Sequence, residues 1–211
     1  MTLVLPLALI GLALAALLMA EQREHAALQR VAKPLASLGF LWLAWRVGAG
    51  EHDFGRVLFV ALVACALGDV CLLSRRPAWF LAGLSAFLIG HAGYAWAFAS
   101  RGVAPTPALA LAAVLALPAW AVLRWLRPFL EPGMRVPVLA YVVAITAMLA
   151  CAWTCDAGHA TPWIRAGATA FYLSDLAVAR DVFVRREFFN RAWGLPLYYG
   201  AQVCIAIAAS R

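Results

Sequence analysis

The chain is a succession of apolar runs, each about as long as a lipid bilayer is thick, joined by short polar connections. A hydrocarbon core offers backbone N–H and C=O groups no partner, so each run must satisfy itself as a helix or join a closed barrel. Barrel strands alternate apolar and polar residues, whereas these runs are unbroken stretches of Ala and Leu with scattered Gly and Pro. The spacing predicts eight spans, at 2–20, 31–48, 54–74, 77–99, 106–126, 135–154, 161–180 and 193–210, each near the ~20 residues a bilayer requires. At 65% hydrophobic and 13% charged, the composition departs from a soluble domain in the same sense. The expected fold class is all-α, an integral membrane bundle of about eight transmembrane helices, with residues 1–211 as one polytopic domain. The run from Leu3 to Ala20 has no basic flank before it and is as long as a span, so it reads as the first helix rather than a signal peptide.

Basic residues set the expected orientation. Of the 17 Lys and Arg, most fall in or beside the first, third, fifth and seventh connections, among them Arg23, Arg30, Lys33, Arg75, Arg76, Arg127, Arg185, Arg186 and Arg191. The excess of Lys and Arg on cytoplasmic loops then places those connections inside and both termini on the non-cytoplasmic side, as for a bacterial inner-membrane protein. The net charge of +7 is explained by this topology and by anionic lipid, and no contiguous basic stripe suggests nucleic acid. The five cysteines all lie in apolar segments and imply no disulfide framework. Cys151, Cys155 and His159 follow at helical spacing, but they sit at the outer end of the sixth span, and packing of small residues explains them better than a metal. Neither metal nor cofactor is expected.

Two aspartates break the apolar pattern. Asp69, in Leu67-Gly68-Asp69-Val70, and Asp175, in Leu173-Ser174-Asp175-Leu176, lie inside the third and seventh spans, each shortly before arginines. A carboxylate in a membrane segment is costly and is a functional-site hypothesis by default. Each stands five residues before the expected cytoplasmic end of its helix, roughly 7–8 Å inward at 1.5 Å per residue. Lys33 opens the second span from that side. Tyr198, Tyr199 and Gln202 are expected in the first half of the eighth span, and His91 near mid-depth in the fourth. The matching surroundings of the two aspartates, four spans apart, suggest a four-plus-four parallel repeat around a central pseudo-axis.

Several fragments together resemble the YhhN family of membrane proteins: Lys33-Pro34, Gly68-Asp69, the stretch Gly83 to His91 with Tyr94, Ser174-Asp175 and Tyr199-Gly200-Ala201-Gln202. The likeness runs from about residue 30 to the C-terminus. Two departures stand out: Leu-Ala-Val-Ala-Arg-Asp follows Ser174-Asp175, where an asparagine and an aromatic are usual, and Gly200 replaces a bulkier residue. Neither removes a titratable group, so the difference is expected in an acyl-chain pocket. The resemblance implies hydrolysis of the vinyl-ether bond of lysoplasmalogens to a fatty aldehyde and glycerophosphoethanolamine or glycerophosphocholine, with membrane lipid and the lysophospholipid substrate as partners.

A vinyl ether is cleaved by protonating its β-carbon and capturing the oxocarbenium ion with water. Two carboxyls in differing surroundings can divide the acid and base roles. Asp69 and Asp175 are the expected pair. Lys33, Arg75 and Arg76 are candidates for the lipid phosphate, and His91, Tyr94, Ser174, Tyr198, Tyr199 and Gln202 for positioning substrate or water. A small proton-coupled transporter is the competing reading of the same carboxylates, but a transport site belongs near the bilayer midplane, deeper than these aspartates are expected to lie. Arg185, Arg186 and Arg191 read first as topology determinants.

Overall fold

The computed structural model describes residues 3–74 and 76–210, so Arg75, one of the phosphate candidates, lies outside the described residues, as does Arg211. Eight α-helices follow one another, and no strand occurs among the described residues. They are α1 (Val4–Gln22), α2 (Ala26–Arg46), α3 (Asp53–Cys71), α4 (Pro77–Ala99), α5 (Pro105–Leu126), α6 (Arg135–Thr154), α7 (Thr161–Ala179) and α8 (Phe188–Ala208). A π-helical turn, Arg180–Val184, extends α7.

Most boundaries fall within a few residues of the apolar runs, with two instructive exceptions. Both α2 and α8 begin five residues before the hydropathy pattern does, because their first five residues mix apolar side chains with Gln29 and Arg30, or with Asn190 and Arg191. His25 caps α2, its Nδ1 accepting from the Leu28 N–H at 3.2 Å. Asp181 turns back from the π segment to accept the Glu187 N–H at 3.0 Å, just ahead of α8. The earlier start of α8 places Tyr198 and Tyr199 at its middle and Gln202 in its second half, correcting the expectation that all three lie in the first half. Conversely, α3 stops at Cys71, so Asp69 is two residues from the helix end rather than five.

By length and apolarity, five helices can cross a membrane: α1, α3, α4, α5 with the turn after it, and α6 with the turn before it. The other three, α2, α7 and α8, carry polar groups that lower their hydropathy. These include Lys33, Asp175, Asn190, Arg191 and Gln202. Large apolar side chains cover much of the outward surface, with Leu12, Val60, Ile89, Trp96, Leu109, Leu117 and Val136 all exposed. A contiguous apolar surface of this kind suits lipid rather than water.

Small residues bring the helices together, as expected where lipid removes the hydrophobic drive for association. The antiparallel neighbours α1 and α2, α3 and α4, and α7 and α8 form the most extensive packed pairs, while α4 packs on α6 and α2 on α8. At Gly90 of α4 a Cβ would stand 2.6 Å from Cys65 Sγ and 3.3 Å from the Ala61 carbonyl oxygen of α3. Gly90→Ala is therefore expected to cost about 1–3 kcal/mol through overpacking, read as a lower thermal midpoint of the purified protein. Gly200→Ala, where a Cβ meets nothing within 4 Å, is expected to raise that midpoint slightly, since glycine inside a helix costs about 0.5–1 kcal/mol relative to alanine. Gly200 is exposed, so its departure from the family pattern falls on the outer surface and not on a pocket.

Candidate active site

A cavity of about 830 Å³ opens at one end of the bundle. Its lining draws on all four odd-numbered connections or their flanks, through Glu21 and Gln29, Leu73 and Ser74, Glu131 and Met134, and Asp181 to Arg186. Lys33, Asp69, Asp175 and Tyr198 line it further in. The fold thus gathers residues far apart in sequence at the end where the positive charge concentrates.

Side-chain direction explains how they meet. Helical side chains lean toward the helix N-terminus. Asp69 and Asp175, near the C-terminal ends of α3 and α7, therefore lean away from the mouth into the bundle. Helices α4, α6 and α8 start at the mouth, so His91, Tyr141 and Tyr198 lean back toward it and reach the aspartates.

Asp69 is 2% exposed and almost fully coordinated. Ser37 Oγ and the Tyr198 hydroxyl each donate to its Oδ2 at 2.7 Å. Lys33 Nζ lies 3.3 Å from its Oδ1. Lys33 and Ser37 are one turn apart on the same face of α2. Tyr199 fixes that turn by donating to the Lys33 carbonyl at 3.3 Å. Three donors around one carboxyl group, one of them an ammonium, make the arrangement that suits an ionised carboxylate.

Asp175 has a different shell. The Tyr141 hydroxyl donates to its Oδ2 at 2.8 Å, and His91 Nε2 stands 3.6 Å from the same oxygen. His91 Nδ1 is 2.7 Å from the Phe87 carbonyl oxygen. A carbonyl only accepts, so Nδ1 carries the hydrogen. Nε2 is buried and has no hydrogen-bond partner, and it points its remaining valence at the carboxyl group. Two lone pairs do not face each other favourably, so His91 and Asp175 together make a place for one exchangeable proton.

The two carboxyls form separate sites rather than a shared-proton dyad: no hydrogen bond links them among the described residues. Aromatic rings join their shells instead. Phe171 packs on Tyr198 at 5.3 Å between centroids and on His91 at 4.5 Å, while Phe87 meets Tyr198 edge-on at 5.8 Å. His91 also packs edge-on against Tyr141 at 5.0 Å.

The remaining candidates divide. The Tyr94 hydroxyl donates to Gln202 Oε1 at 2.9 Å. Both residues are fully buried and do not line the cavity. Ser174 turns its hydroxyl to the Phe171 carbonyl of its own helix at 2.8 Å and is likewise absent from the lining. Of the phosphate candidates, Lys33 is engaged by Asp69, and Arg76 is exposed outside the cavity.

Arg191, read from sequence as a topology determinant, is a structural tie. It donates to Asp181 Oδ2 through Nε at 3.1 Å and through a terminal nitrogen at 2.9 Å, and it pairs with Glu21 of α1. Gln29 donates to that same Glu21 carboxylate at 3.0 Å. Ser37 and Tyr141 were not singled out by sequence. Ser37 had a signal, because it lies one turn from Lys33. Tyr141 had none, because a lone tyrosine is ordinary in an apolar helix.

The cavity is amphipathic. Toward α1, α2 and the start of α8 its wall is polar, with Glu21, Gln29, Lys33, Asn190 and Arg191; toward α4, α5 and α6 it is apolar, with Phe80, Leu84, Leu126, Val138 and Ile145. A bundle with helices apolar enough to cross a membrane, an amphipathic cavity open at one end and two separately held carboxyl groups has the form of a membrane protein with a polar site set inside it. The chain belongs to the YhhN family, whose model matches residues 28–209, from the first turn of α2 to the last residues of the bundle. It is 36% identical over 188 residues to the lysoplasmalogenase TMEM86B of Homo sapiens, covering 88% of this chain and 76% of that protein. It is 32% identical over 164 residues to the lysoplasmalogenase TMEM86A of Homo sapiens, covering 75% of this chain and 67% of that protein. A lysoplasmalogenase of Mycobacterium tuberculosis (strain CDC 1551 / Oshkosh) is 33% identical over 187 residues, with 85% of this chain and 68% of that protein covered. No solved structure matches the chain significantly.

Proposed function

We propose that this protein hydrolyses the vinyl-ether bond of a lysoplasmalogen, releasing a fatty aldehyde and the glycerophospho headgroup. The observation that carries this reading is an amphipathic cavity with two carboxyl groups of unlike surroundings on its wall. A single-chain lipid fits such a cavity with its tail against α4 to α6 and its headgroup at the mouth.

The unlike shells supply the division of labour. Asp175 with His91 is the acid: its proton goes to the vinyl β-carbon, and the π electrons form the new C–H bond. The adjacent carbon becomes an oxocarbenium ion. Asp69, held ionised by Lys33, faces that positive charge and takes a proton from the attacking water. Water oxygen bonds to the oxocarbenium carbon, giving a hemiacetal. Its collapse breaks the carbon–oxygen bond to glycerol, whose oxygen takes the proton held by Asp69 while the hemiacetal hydroxyl gives its own to Asp175, so the aldehyde remains and both carboxyls return to their starting states. Tyr141 and Tyr198 position the two carboxyls, and Tyr94, Tyr199 and Gln202 brace the helices behind them.

All eight helices cross the membrane in this reading, the odd-numbered connections are cytoplasmic, and the protein lies in a bacterial inner membrane with both termini outside. Support for a four-plus-four repeat comes from the partners of the aspartates: Asp69 of α3 is held from α2 and α8, and Asp175 of α7 from α6 and α4. Advancing each helix by four exchanges the two sets. Transport is less well supported, because both carboxyls line a cavity rimmed by connections at one end.

The test is incubation of the purified protein with a lysoplasmalogen and with its saturated-ether analogue, followed by aldehyde detection. Aldehyde is expected from the vinyl ether alone. A folded protein that releases none from it would overturn the proposal.

A further inference from the structure

Charge pairing at the cavity mouth leaves two groups over. The inner charges are matched as described, Lys33 with Asp69 and Arg191 with Glu21 and Asp181. Arg185 Nε is tied to Glu187 at 2.8 Å. Among the described charged residues of the lining, Arg186 and Glu131 have neither an ion-pair nor a side-chain hydrogen-bond partner. They are one cation and one anion, on different connections. Packing brings those connections together: Leu130 and Met134, flanking Glu131, join the same apolar cluster as Phe183 and Val184, which precede Arg186.

We infer that Arg186 and Glu131 form a zwitterion site, Arg186 taking the phosphate and Glu131 the ammonium of a phosphoethanolamine-type headgroup. The inference rests on the hydrolase reading for its choice of ligand. An arginine fork matches phosphate oxygens, and a free carboxylate on the wall of the same cavity matches a primary ammonium. A mouth that bound only phosphate would not need an unpaired carboxylate on its rim. Both side chains are exposed, so each contact contributes about 1 kcal/mol at most, or about fivefold in affinity, and weakens with salt.

The test measures binding of three saturated-ether lipids to the purified full chain in nanodiscs: hexadecyl-glycerophosphoethanolamine, hexadecyl-glycerophosphate and hexadecylglycerol. None has a vinyl ether, so binding is read apart from hydrolysis. Glu131→Gln is expected to weaken the ethanolamine lipid about fivefold and not to weaken the phosphate lipid. Arg186→Gln is expected to weaken both phosphate-bearing lipids and leave hexadecylglycerol unaffected. Equal loss for all three lipids, or no loss, would overturn the site. Selective losses in a wild type that releases no aldehyde from a lysoplasmalogen would uphold the site and refute the hydrolase reading.

Discussion

Asp175→Asn is expected to lower aldehyde release by about 10²–10⁴-fold, the usual worth of a positioned general acid. Asparagine matches aspartate in shape, and its amide oxygen can still accept from Tyr141, whose hydroxyl lies 2.8 Å from Oδ2 in the native site. What it cannot do is give a proton to carbon, or share one with His91 Nε2 across the 3.6 Å gap. The loss should therefore appear in turnover, while binding of a saturated-ether lysolipid and the thermal midpoint stay near wild type. A variant within about threefold of wild-type turnover would remove Asp175 from the chemistry, since even a weak general-acid role is worth more than that.

Asp69→Asn is expected to fail differently. Lys33 is only 14% exposed and its ion-pair partner is Asp69, so losing the carboxylate strands an ammonium inside the bundle. Removing one member of a buried pair costs about 3–5 kcal/mol, largely because the other charge is left uncompensated. Activity and stability should fall together, which alone cannot separate a catalytic carboxylate from a structural one. The double variant Lys33→Met, Asp69→Asn separates them. It removes both charges together while the asparagine oxygen still accepts from Ser37 and Tyr198, so the thermal midpoint should recover while aldehyde release stays abolished. Recovery of both would assign Asp69 a purely structural role.

The helices were legible in the sequence because a membrane leaves the backbone little choice. The mixed first turns of α2 and α8 were not. Gln29 and Arg30 in α2, and Asn190 and Arg191 in α8, are helical yet carry no hydropathy signal. Asp69 and Asp175 were legible for an energetic reason: an ionisable group in an apolar run needs a cause. Their shells were legible only in part: Lys33, His91 and Tyr198 were candidates, but which aspartate each meets depends on which helices touch. Ser37 and Tyr198 reach Asp69 from 32 and 129 residues away, and Tyr141 reaches Asp175 from 34. The tie of Arg191 to Glu21 spans 170 residues, so a count of positive charges reads Arg191 as a marker of topology. The same count cannot distinguish an arginine held between two carboxylates from Arg186, which has none.

The most direct test of vinyl-ether hydration in this cavity is turnover of a lysoplasmalogen in oxygen-18 water, with the mass of the glycerophospho product as readout. Protonation at carbon followed by capture of the oxocarbenium ion leaves the original ether oxygen on glycerol, so this product should be unlabelled. Its new hydroxyl oxygen does not exchange with solvent, unlike the aldehyde oxygen, so the reading is clean. Oxygen-18 in the glycerophospho product would show that water attacks the glycerol carbon instead, and would contradict the roles given to Asp69 and Asp175.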